Sequence, residues 1–159
     1  RDQPRHVRGV PLVPSRMSWR EHLEADLGKW EHIVDGAERE YAASHTSSPP
    51  LNVAIAPGGQ ALAALVDAIR AGDVPGVADE GLLFRDNVHL TDLGNYFIAL
   101  VQVATLTRVD LDGAANQVTR GDGQAVVVPP ETARALARIA QRAVRLYPRS
   151  GVLSPPEPN

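Results

Sequence analysis

The chain has 159 residues, 43% of them hydrophobic, a formal net charge of −3 and no cysteine. That length supports one domain with a core of its own; the charge balance gives no electrostatic reason to expect nucleic acid or an anionic membrane as partner. The lack of thiols excludes disulfides and thiolate chemistry, and no apolar run approaches the ~18 residues of a membrane helix.

The start, Arg1-Asp2-Gln3-Pro4, has neither an initiator Met nor an apolar leader and reads as the end of a processed, trimmed or cleaved chain. Residues 1–17 mix Arg, Pro and short apolar pairs, the composition of an extended segment. Ser18 and Glu21 have the spacing of a capping box. After them Trp19, Leu23, Leu27, Trp30, Ile33, Val34, Ala37 and Tyr41 mark one face of a long helix, which residues 44–50 end. Leu51 to Ala56 reads as a short apolar strand running into Pro57-Gly58-Gly59. A helix follows at once, with Leu62, Leu65, Val66 and Ile69 at core spacing and Gly72 as its stop.

The next apolar stretch, 82–106, holds the chain's one Asp-x-x-His. Leu82-Leu83-Phe84 leads into the polar loop Arg85-Asp86-Asn87-Val88-His89, and a helix begins beyond it, with Thr91 as N-cap and Asp92 in its first turn. Leu93, Tyr96, Phe97, Leu100, Val101 and Ala104 form one face. Ile98, Ala99 and Val103 make the opposite side nearly as apolar, so the expectation is a helix buried all round. Residues 109–124 read as a polar connection and Ala125 to Val128 as a second strand. A last helix opens at Pro130, faces Leu136, Ile139, Ala140, Ala143 and Val144 inward, and stops at Pro148 before a Pro-rich tail, 149–159.

One clear strand and one doubtful strand do not make a sheet, yet a strand–Gly turn–helix unit belongs in a parallel sheet covered on both faces. A lone buried strand would leave its backbone donors and acceptors unpaired. The expectation is therefore that residues 18–148 are the C-terminal part of a larger α/β domain, whose other strands come from a preceding segment or a second polypeptide.

A carboxylate three residues before a histidine can fix the imidazole's tautomer and steady its protonated form while the ring takes a proton from a serine hydroxyl. Asp86-Asn87-Val88-His89-Leu90-Thr91, continued by Gly94-Asn95-Tyr96, resembles the last conserved block of the SGNH (GDSL-type) hydrolases, an Asp-x-x-His placed just before a C-terminal helix. Val53 to Ala61 is similar to the strand and turn upstream of that block in many members. The resemblance covers roughly residues 17–147. It implies a three-layer, flavodoxin-like α/β fold and hydrolysis of a carboxylic or carbohydrate ester without metal or cofactor. His89 would be the general base and Asp86 its orienting carboxylate. Many members are exported, which mildly favours a secreted or periplasmic site.

The chain departs from that pattern in what it lacks. None of its serines follows a strand in a Gly-Asp-Ser-type block, and there is no Gly-x-Asn-Asp to supply oxyanion donors. The nucleophile would come from a companion N-terminal polypeptide or segment. The alternatives are a non-catalytic SGNH-like module kept for binding or assembly and, third, an unrelated helical interaction domain in which Asp-x-x-His occurs by chance.

Other motifs carry less. Gly58-Gly59 matches no dinucleotide or phosphate-loop fingerprint and reads first as a tight turn, with Gly59 and Gln60 as minor substrate-binding candidates lining the cleft. His22 and His32 are about 15 Å apart along one helix, too far to share a metal. Arg134, Arg138, Arg142 and Arg145 line one side of the last helix, where a solvated face outweighs a nucleic-acid patch.

Overall fold

The fold is that of a computed structural model, which describes residues 19–86 and 89–152. The predicted extended segment 1–17, the Ser18 cap and residues 153–159 of the tail lie outside the described residues. The protein is mostly helical, with one small antiparallel sheet. No described helix is long and apolar enough to cross a membrane.

Three helices enclose the core: α2 (Gly58–Arg70), α3 (Asp92–Thr107) and α4 (Pro130–Leu146). The i, i+3, i+4 apolar spacing of each aims a stripe inward. Leu65 and Val66 of α2, Phe97 and Val101 of α3, and Leu136, Ala140 and Val144 of α4 are almost wholly buried in one cluster. Each of these side chains larger than Ala140 contributes about 1.5–3 kcal/mol on leaving water. Gly72 takes a positive φ of +80° just beyond α2, the stop expected of it. Two polar bonds tie loops to this core. Thr132 Oγ1 donates to the Pro75 carbonyl at 2.7 Å, and buried Gln141 accepts from Leu111 N–H at 2.7 Å.

Four expectations need correction. First, α3 is not buried all round. Ala99 is exposed and Val103 is 43% exposed, because α2 and α4 pack on the opposite side. Second, residues 51–56 form no strand. Among the described residues Val53 N–H reaches the Glu38 carboxylate and Ile55 N–H the Arg149 carbonyl, and no neighbouring strand is present to complete a ladder. Third, 109–124 is more than a connection. It contains β1 (Gln117–Thr119), which pairs antiparallel with β2 (Ala125–Val127), Val118 opposite Val126. The turn between them closes through Arg120 N–H to Gln124 O, with Gly123 at φ +83°. Fourth, the tail does not begin free at 149: Ser150 is fully buried in a short 3-10 turn, Pro148–Ser150.

Helix α1 (Trp19–Ser44) is the loosest layer. Its predicted face is half-buried at Leu23, Leu27, Val34 and Tyr41, but Trp30 is 63% and Ile33 59% exposed. It is held chiefly at its edges by polar groups. Arg20 forks onto Asp67 at 2.8 and 3.0 Å, Tyr147 Oη donates to Glu31 at 2.8 Å, and Arg149 pairs with Asp35 at 2.8 Å. Burial, then the Glu31 carboxylate, pushes the Tyr147 phenol up to about 12.

Candidate active site

The loop carrying Asp86 and His89 is pinned at both ends. Phe84 and Leu90 form an isolated antiparallel bridge, Arg85 N–H donates to the His89 carbonyl at 2.8 Å, and Thr91 N–H donates to Leu83 O at 3.0 Å. Thr91 is the N-cap as expected, its Oγ1 accepting from Gly94 N–H while donating to Leu82 O at 2.7 Å. Gly94 is glycine for a steric reason: a Cβ there would strike the Leu83 carbonyl. The first turn of α3 therefore lies directly on the end of the short 3-10 turn Glu80–Leu83 that leads into the loop, which fixes where the loop leaves and re-enters.

Within the loop the Asp86 carboxylate accepts twice from one residue. Oδ1 takes the His89 backbone N–H at 2.7 Å; Oδ2 and Oδ1 lie 2.8 and 3.0 Å from His89 Nδ1. An ionised carboxylate only accepts, so Nδ1 is the donor, and when the ring carries one proton the lone pair lies at Nε2. That is the tautomer a general base requires. The pair is open to water, with side-chain exposures of 72% for His89 and 52% for Asp86, so it is worth only about 0–1 kcal/mol to folding.

A groove of about 420 Å³ begins at His89 and runs between the start of α3 and the β1–β2 ribbon, lined by Arg85, Leu90, Asn95, Tyr96, Val118 and Arg120 among others. Two links hold the ribbon in place as its far wall. Arg120 sits 3.2 Å from both oxygens of Asp92 while also pairing with Asp122, and Tyr96 Oη donates to the Ala115 carbonyl at 2.9 Å. Burial raises the Tyr96 phenol above its usual range, so it stays a neutral donor. Arg85 and Arg120 were not anticipated from sequence. Arg85 is flagged only by adjacency to Asp86, and nothing local marks Arg120, 28 residues from Asp92.

The structure brings Asp86 and His89 together and leaves Gly59 and Gln60 elsewhere. Those two open α2 and line a separate groove with Leu23, Leu27 and Trp30 of α1, which shares no lining residue with the His89 groove. Gly59 packs against the end of the Leu23 side chain, which a Cβ there would displace. No described serine lines the His89 groove. Among the described residues no three His, Asp or Glu side chains gather as a metal site. His32 is exposed, and His45 stacks on Tyr41 with ring centroids 4.3 Å apart. No family model, curated protein or solved structure matches the chain, so similarity assigns it to no family.

Proposed function

We propose that the chain is the acid–base half of an SGNH-type serine ester hydrolase with the three-layer, flavodoxin-like fold, acting on a carboxylic or carbohydrate ester. The observation that carries the reading is the Asp86–His89 geometry, a carboxylate within 2.8 Å of Nδ1 on a histidine that lines an open groove. His89 Nε2 would take the proton from a serine hydroxyl as the oxygen attacks the ester carbonyl. Asp86 would steady the imidazolium, and His89 would return that proton to the departing alcohol. A water then repeats the sequence on the acyl-enzyme. The serine and the oxyanion donors belong to a companion N-terminal part.

The companion is supported by what the chain leaves uncovered. Among the described residues, 51–56 have no strand neighbour, and Trp30 and Ile33 are exposed on α1. A neighbouring sheet against that face would give residues 51–56 a ladder partner and cover Trp30 and Ile33.

Fluorophosphonate labelling of natively purified material, followed by intact mass spectrometry after denaturation, tests the proposal. An adduct on a second polypeptide in one-to-one ratio, lost from activity when His89→Ala is introduced, supports it. A single unlabelled species at 17.0 kDa favours the second reading, a non-catalytic binding or assembly module, which the lack of a described serine at the groove motivates.

A further inference from the structure

A second groove plays no part in that chemistry. It holds about 580 Å³ between α4 and the loop 110–114, on an apolar floor of Leu111, Ala133 and Ala137. Arg145 closes one end by pairing with Asp110 at 3.1 Å. Along the α4 rim stand Arg134, Arg138 and Arg142, each one turn from the next and spanning about 12 Å. Among the described residues none of these three guanidiniums has a hydrogen bond or ion pair. Like charges at i, i+4 destabilise a helix, and this one repeats them twice. The chain has 19 acidic residues against 16 basic, so a run of unmatched cations is not a by-product of composition.

We propose that this groove binds an acidic amphipathic helix of a partner polypeptide. Carboxylates at i, i+4 and i+8 of such a helix, laid along α4, repeat at the pitch of the three arginines. Apolar side chains between them would meet the exposed Leu146. Asp110 and Asp112 on the opposite wall confine the acidic stripe to the α4 side, which gives the contact a direction. Nucleic acid fits less well, because no aromatic ring lines the groove for a base to stack on. A membrane surface fits less well too, because the apolar face of α4 is spent inside the core at Leu136, Ala140 and Val144.

The probe is a fluorescein-labelled helical peptide with Glu at i, i+4 and i+8 and Leu and Ala between, titrated with the whole chain at about 50 mM salt, where screening is weak. A matched peptide with Gln for Glu is the control. The acidic peptide binds and the Gln peptide does not. Arg138→Gln weakens binding about threefold, and the triple change of Arg134, Arg138 and Arg142 to Gln about 30-fold. Arg39→Gln, on the exposed side of α1, leaves it unchanged. The proposal is overturned by equal affinity for both peptides, by equal losses from Arg39→Gln and Arg138→Gln, or by tighter binding of a single-stranded oligonucleotide of matched charge.

Discussion

The body formed by α2, α3 and α4 and the layer formed by α1 with residues 51–57 carry similar apolar spacing but are satisfied differently. In the body, the central inward positions, Leu65, Phe97 and Leu136 among them, are fully buried, while Leu62, Leu93, Ile139 and Ala143 at the margins are partly so. In the layer, Trp30 and Ile33 occupy the same kind of positions and face solvent, while ion pairs at Arg20 and Arg149 do the holding. Exposed pairs of this sort are individually weak, whereas buried side chains are not. Amphipathic spacing thus says that a face is to be covered, not that the same chain covers it.

Substitutions can break or sharpen that contrast. The largest effect is expected from Phe97→Ala, which empties the centre of the body and should cost about 3–5 kcal/mol in urea denaturation. Gly94→Ala comes next at about 1–3 kcal/mol, because the added methyl forces α3 off the Leu83 carbonyl. Retention of full stability there would mean that the α3 start is not seated as described.

Tyr147→Phe removes the hydroxyl that tethers α1 through Glu31, with an expected loss of about 1 kcal/mol. It also changes the response to alkali. The phenol is held up to about 12 in the folded protein and ionises near ~10 when unfolded, so the fold keeps the proton more tightly. That stabilisation is intact below pH ~10 and is lost as pH rises toward about 12, a decline that urea midpoints should register in the parent and that the Phe variant should lose in part. The smallest effects belong to Trp30→Ala and Ile33→Ala, each within about 0.5 kcal/mol for the chain alone. A cost above about 2 kcal/mol at Trp30 would erase the distinction between the two regions.

Legibility from sequence followed the range of each interaction. Helices α2, α3 and α4 were readable because periodicity, caps and stops are local: Thr91 caps α3, Gly72 ends α2 and Pro130 opens α4. Asp86 and His89 were readable for the same reason, three residues apart on one tight loop. β1 was not, since Gln117-Val118-Thr119 is short and half polar and becomes a strand through the Arg120–Gln124 turn and its partner. The outer side of α3 was misjudged because Ala99 and Val103 are as apolar as buried residues, and only tertiary placement tells that they are bare. Residues 51–56 show the converse: apolar composition favours a strand, but a strand exists only where a neighbour supplies its ladder. The groove beside His89 depends on Arg120 reaching back 28 residues to Asp92, which no local pattern encodes.

Arg149 joins regions that chain order keeps apart. Its guanidinium reaches Glu38 across 111 positions, its carbonyl takes Ile55 N–H, and Tyr147 beside it spans 116 positions to Glu31. A ribosome adding about 5–20 residues per second leaves α1 waiting roughly 5–20 s for these anchors. During that interval Trp30 and Ile33 lie on a helix with neither clasp made, a window in which a chaperone or a wrong neighbour can reach them first. A chain cut just before Tyr147 would keep that window open indefinitely.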